Sequence, residues 1–310
     1  MLAPMAADGL TPVEIVSPGG TVRARFVPGA NMVCDSFTHQ GVELVHTGNS
    51  LEAYAQHGKT MGIPLLHPWA NRLAQPSYAV AGKQVALPAP DGRFALDPNG
   101  LPIHGALPGL LVWEPLEAGA ADRISARLDW SAPTLLELFP FVHELRIDVL
   151  AGDAGLELVT TLRATGEDIV PVAFGYHPYL VPPGDAPRAD WQVSLGASQR
   201  LVLDERMIPT GETEALEPRA FRLGDQSWDD GLAGLGSPPE FSVSAGAQTL
   251  TVTFDEGFPC AQVFAPDGQP FICFEPMTAR TNALASGVGL RLVEPGEEYR
   301  TAFSIAVADN

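Results

Sequence analysis

Four short segments each place an ionisable side chain among residues too apolar to solvate it. They read GIPLLHPWANRL (62–73), LPIHG (101–105), FGYHPYL (174–180) and CFEPMTARTNAL (273–284). The groups that stand out are Arg72, His104, His177 and Glu275, with His67 and Arg280 also present in the first and last segments. Carboxylates and imidazoles are the side chains of general acid–base chemistry. Any one of them alone reads as a satisfied core histidine or an ion-paired arginine, so the argument rests on the four together. Gly105 follows His104, Pro178 follows His177 and Pro276 follows Glu275. Glycine and proline fix unusual backbone angles and end strands, so these side chains are expected at strand ends beside loops.

Other chemistries lack their signatures. The chain has no GxGxxG, no P-loop and no GxSxG, which removes the common phosphate cradles and the nucleophile elbow. None of the seven histidines (39, 46, 57, 67, 104, 143 and 177) falls in HxH, HExxH or another close metal spacing. No cofactor and no metal are expected.

The elements that must hold these groups read as β. Alternation of apolar and polar residues marks 143–150, 156–163, 249–254 and 299–307 as strands with one buried face. Turn signals separate them at Gly152-Asp153, Gly166-Glu167, Pro182 to Asp185, Pro266 to Gly268 and Pro295-Gly296. The best helical stretch is a turn or two around Ala132–Leu138, before Pro140. With no βαβ rhythm, no repeat and no linker, residues 1–310 read as one all-β domain with residues 1–18 at its periphery.

Gly (31) and Pro (29) make up about a fifth of the 310 residues, against roughly 12% in average usage, which fits a turn-rich chain. Lys+Arg number 18 and Asp+Glu 37, a net charge of −19. Nucleic acid and anionic membranes are poor partners for such a chain, because no sizeable basic patch can be assembled. Cys34, Cys260 and Cys273 form no CxxC and read as buried thiols of a reducing compartment, although a disulfide between two of them stays open. The opening MLAPMAADGL lacks the basic and apolar regions of a leader, and no run reaches the ~18 apolar residues of a membrane span. A cytoplasmic protein is expected.

From about Gly19 to Val307 the sequence resembles the aldose 1-epimerases (mutarotases) and their hexose-phosphate relatives. The four segments above follow in that family's order, with Trp113 after the His-Gly segment. Ile208-Pro209-Thr210-Gly211-Glu212 and Trp228-Asp229-Asp230-Gly231-Leu232 are similar to two further family stretches. The resemblance implies a β-supersandwich of antiparallel sheets with few short helices. It also implies a free monosaccharide as substrate, interconverted between α and β anomers. Glu275 matches the general base, His177 the general acid and His104 the second histidine at the ring oxygen. Arg72 and Asp229 match ligand-binding positions, Asn71 and Tyr179 sit beside matched ones, and Asp230 is the alternative to Asp229 by one residue.

Anomer exchange needs a proton removed from the anomeric hydroxyl and one given to the ring oxygen, which a carboxylate and an imidazole can do. A glutamate is a weak base unless its pKa rises, and flanking Phe274 and Pro276 are expected to desolvate Glu275. Arg72 is therefore expected to serve sugar hydroxyls rather than pair tightly with Glu275. Trp69, Tyr179 and Trp228 are candidates either to stack on the sugar or to pack in the core. His67 stands where an aromatic residue is more usual, either touching the cleft or packed. No basic residue follows His104-Gly105, which with the −19 charge counts against a hexose 6-phosphate, while Arg280 keeps that alternative open. A non-catalytic sugar-binding protein on the same scaffold is the other alternative.

Overall fold

A computed structural model describes residues 10–116 and 121–310. Most of the opening decapeptide discussed above therefore lies outside the described residues. Val13–Val16 pairs with Val22–Val27 and buries Ile15, so the sheet begins inside the segment expected to be peripheral.

The paired strands are antiparallel throughout. A nine-stranded sheet runs in the order Glu114–Leu116, Arg123–Trp130, His143–Gly152, Gly155–Ala164, Glu298–Asp309, Gln248–Glu256, Glu240–Ser244, Gln192–Ser194 and Ala220–Arg222. It contains all four segments whose alternation predicted strands. A second sheet runs in the order Pro209–Ala215, Ala197–Leu203, Trp228–Leu235, Cys260–Ala265, Ile272–Met277, Gly175–Tyr176 and Leu65–Leu66, with Tyr179–Leu180 also paired to Ile272–Met277. Helix is confined to short pieces. Pro133–Leu136 falls where one was expected, and Leu51–His57 is capped by the Ser50 side chain and by Gly58 in the left-handed conformation. Among the described residues, no helix is long and apolar enough to cross a membrane.

Side chains alternate across a strand, so each strand of the second sheet has two jobs. Its inner face carries Val263, Phe274 and Tyr176, all buried. Phe274 meets Phe241 of the nine-stranded sheet at 5.8 Å between ring centres, and Tyr176 meets Phe303 at 4.9 Å. The hydroxyls of Tyr176 and Thr160 lie 2.5 Å apart, which satisfies two polar groups inside that core. Each buried Phe there contributes about 1.5–3 kcal/mol. The outer face of the same strands carries Asp229, Gln262 and Glu275.

Candidate active site

Strand register brings the polar groups together. Gln262 is the direct cross-strand partner of Glu275, and Gly231 that of Gln262. Asp229, two residues before Gly231, therefore shares their face, and Gln262 Nε2 donates to Asp229 Oδ1 at 2.6 Å. Asp230 points the other way and pairs with Arg200, 3.3 Å from its Nε. The alternation thus settles which of the two aspartates faces the site.

His177 comes from the short connection between Gly175–Tyr176 and Tyr179–Leu180. Its Nε2 lies 3.3 Å from Glu275 Oε1, and both residues are buried. The Tyr179 ring stacks on the imidazole, 4.5 Å between centres and 6° from parallel. The Tyr179 hydroxyl is itself fixed 2.6 Å from the Thr60 hydroxyl. The His177 ring therefore has little freedom to turn away from the carboxylate.

His104 and Arg72 arrive on facing segments. His104 N donates to Asn71 O at 2.9 Å, and Arg72 bridges to Ile103. Asn71 (φ 57), His104 (φ 63) and Gly105 (φ 76) all adopt left-handed backbone. Gly105 also has no room for a side chain, since a Cβ would come within 2.2 Å of His67 O. The His104 ring meets His177 edge-on at 5.6 Å. Arg72 Nε donates to Asp97 Oδ2 at 2.8 Å, its Nη1 to Asn71 Oδ1 at 3.1 Å, and its Nη2 lies 3.6 Å from Asp229 Oδ2. Asp97 Oδ1 accepts from the Asn99 and Leu101 amides at 2.9 and 2.8 Å. Burial alone would raise Asp97, but the Leu101 amide, Arg72 and the Asn99 amide outweigh it and hold the carboxyl below its ordinary range. Arg72 is thus anchored by a fixed carboxylate behind it and presents its remaining edge forward.

These groups line one cleft of about 220 Å³, close to the size of a single sugar ring. All seven residues singled out in the sequence (Asn71, Arg72, His104, His177, Tyr179, Asp229 and Glu275) are on its wall, joined by Thr60, Ile103, Gln262 and Phe264. Burial pushes Glu275 well above the ordinary glutamate value, Asp229 adds to the push and Arg72 opposes it. Burial pushes His177 down to about 3, and it pushes His104 well down with help from His177 and Arg72.

Several expectations change in detail. Glu275 sits in the middle of Ile272–Met277, not at a strand end. Phe274 and Pro276 do not desolvate it, because alternation sends them to the opposite face; its own-face neighbours His177, Tyr179 and Phe264 do so instead. Trp69 is fully buried in the core, and Trp228 stacks on Phe221 and beneath Arg200, so neither lines the cleft. Tyr179 does line it, although its ring face is taken by His177. His67 is packed, with its Nε2 2.9 Å from His143 Nε2 and Trp130 edge-on at 4.9 Å. Arg280 lies beside Cys260 in a small hollow that adjoins the cleft at Asn71 and Gln262. All three cysteines are buried and free. Gln262 and Asp97 were missed: only the strand register exposes the first, and the Asp97-Pro98-Asn99-Gly100 turn was the available hint of the second.

Solved structures share this architecture over their whole length. Slr1438 protein from Synechocystis sp. PCC 6803 superposes with a TM-score of 0.79 at 21% identity, covering 100% of this chain and 99% of that one. A galactose mutarotase-like protein from Clostridium acetobutylicum gives 0.80 at 16% identity, covering 98% and 100%. The fold is therefore the galactose mutarotase-like β-sandwich. Residues 29–306 match the family model described as aldose 1-epimerase, and the chain belongs to that family. Among curated relatives, the uncharacterized protein YihR of Escherichia coli (strain K12) is 26% identical over 86% of this chain and 85% of its own length. Galactose mutarotase of Bos taurus is 29% identical over 68% of this chain and 57% of its own, and that of Rattus norvegicus 31% over 56% and 48%. The matches to the mammalian mutarotases thus span about half of those proteins.

Proposed function

We propose that the protein is an aldose 1-epimerase that interconverts the α and β anomers of a free, uncharged aldose. The observation that carries this reading is the contact of His177 with Glu275 at 3.3 Å on the wall of a sugar-sized cleft.

Glu275 is pushed up and His177 down, so the two behave as a unit that holds one proton between them. With that proton on His177, Glu275 is a carboxylate able to take the proton of the anomeric hydroxyl. The O1–H electrons form the C1=O1 double bond, the C1–O5 bond breaks, and O5 takes the proton of His177. The unit again holds one proton, now on Glu275. The open-chain aldehyde turns about C1–C2, offers its other face, and the reverse transfers close the ring. His104 supports the ring oxygen. Arg72, Asp229, Gln262 and Asn71 offer donors and acceptors for the remaining hydroxyls.

The charge balance supports an uncharged sugar. Asp97 and Asp229 flank the guanidinium of Arg72, and Asp97 already neutralises it. Arg280, the other cation the phosphate alternative had called on, is not on the cleft wall; it lines an adjoining small hollow that shares Asn71 and Gln262 with the cleft. A phosphate needs unpaired cationic donors.

The test is a substrate panel of glucose, galactose, xylose and glucose 6-phosphate, read by NMR exchange between the anomeric protons. Acceleration of at least one neutral sugar, with none for the phosphate, is expected. Binding without acceleration would instead favour a sugar-binding protein.

A further inference from the structure

His104 stands between two hollows. On one side it faces the cleft, and on the other it closes a cavity of about 20 Å³ walled by Tyr54, Leu66, Ala95 and Leu107. A space of this size holds one water molecule. The wall is mostly apolar, yet Tyr54 Oη and His104 Nδ1 are both buried without a well-formed hydrogen bond among the described residues, and the Asn31 side chain is near enough to engage the Tyr54 hydroxyl from the other side. Tyr54 is fully buried on the helix Leu51–His57. Buried hydroxyls and ring nitrogens are rarely left unpaired, and two on the wall of one water-sized cavity point to a shared partner.

We propose that this cavity is a built water site and that Tyr54, acting through the water, is a positioning residue that holds His104 as its Nε2–H tautomer. A water can give a hydrogen to His104 Nδ1 or take one from it; where the cleft side requires the N–H on Nε2, Nδ1 is bare and the water gives it a hydrogen. Nδ1 is the buried nitrogen and His104 as a residue is partly exposed, so Nε2 is the edge on the cleft side. The Tyr54 hydroxyl completes the water's bonding as donor or acceptor. A sugar ring oxygen offers only lone pairs, so an N–H must face it, and that step rests on the aldose reading above. Burial pushes His104 well below the ordinary histidine value, so the neutral ring and its choice of tautomer are what matter near neutral pH.

Tyr54→Phe removes only the hydroxyl and tests the proposal. Its melting temperature is expected to stay near that of the wild type, with KM within about twofold and kcat lower by about tenfold. Nitrogen-15 NMR, with His104 assigned from its loss in His104→Asn, is expected to show bare Nδ1 and protonated Nε2 in the wild type. Tyr54→Phe is expected to show a mixture of tautomers. A wild-type ring protonated on Nδ1, or a variant whose tautomer or kcat is unchanged, overturns the proposal. The nitrogen shifts are read without substrate. A wild type that does not speed mutarotation therefore sinks the aldose reading alone, and the tautomer then decides this one.

Discussion

His177 Nε2 and Glu275 Oε1 face each other at 3.3 Å, and each side chain is almost wholly buried. Two charged groups in such a place would be costly unless paired, and two neutral ones share a single proton. The carboxyl is pushed up and the imidazole down by the same burial, so the proton sits on the carboxyl at rest and, in the proposed reaction, must cross to the imidazole.

The first prediction concerns pH. Activity should fall as pH rises through loss of the shared proton, an event that lies well above the ordinary glutamate value because of burial and Asp229, with Arg72 opposing. Asp229→Asn should move the basic limb of kcat/KM to lower pH, and Arg72→Ala should move it to higher pH. Polarimetric rates across the pH range check this; limbs that move in the same direction contradict it.

The second concerns stability. The folded-state pKa of Glu275 is raised, so the folded protein keeps a proton that the unfolded chain releases above about 4.3. Stability from this group is present below that value and is lost as pH rises through the folded pKa. Glu275→Gln has no such loss. The variant should melt above the wild type at about pH 8, with the gap closing toward about pH 4. Calorimetry at both pH values measures it.

A third follows from the histidine pair behind the site. His143 Nδ1 lies 2.7 Å from Phe141 O, an acceptor, so it donates there; its Nε2 is then bare and accepts from His67 Nε2. Burial, with His143 beside it, pushes His67 well down, and burial pushes His143 down to about 4. Folded pKa values below about 6.5 mean stability that is present above that pH and lost as pH falls toward the folded values. His143→Phe strands the His67 N–H and should cost about 1–3 kcal/mol. His67→Phe/His143→Phe should recover part of that cost and flatten the acid side of the melting profile. A double variant less stable than the single one at every pH would refute the pairing.

The fourth concerns Gly105. Its φ of +76 is strained for any side chain, and a Cβ would meet His67 O at 2.2 Å. Gly105→Ala should destabilise by about 2 kcal/mol or more and lower kcat further than Tyr54→Phe does, because the segment bearing His104 must shift. Thermal melts and rates on the purified variant test both parts.

The sequence is legible where a local rule decides. Period-two alternation located four strands of the nine-stranded sheet, because one of their faces meets solvent. Ionisable residues stranded in apolar runs located His104, His177, Arg72 and Glu275 on one cleft. What it hid depends on register and on distant partners. Gln262 sits in a run that is buried on both faces, so its polarity carried no direction until its pairing with Glu275 was known. Phe274 looked like the desolvating neighbour because adjacency in sequence was read as adjacency in space, which a strand reverses. His67 looked anomalous until His143, 76 residues away, supplied its partner.

The central claim is that His177 and Glu275 open and close a sugar ring. Its most direct measurement is polarimetry of freshly dissolved α-galactose or α-glucose with micromolar wild-type protein, Glu275→Gln and His177→Asn. The account predicts rapid decay of rotation with the wild type and rates lower by about 10²–10⁴-fold in each variant. Wild-type decay at the spontaneous rate, or variants that match a fast wild type, would contradict it.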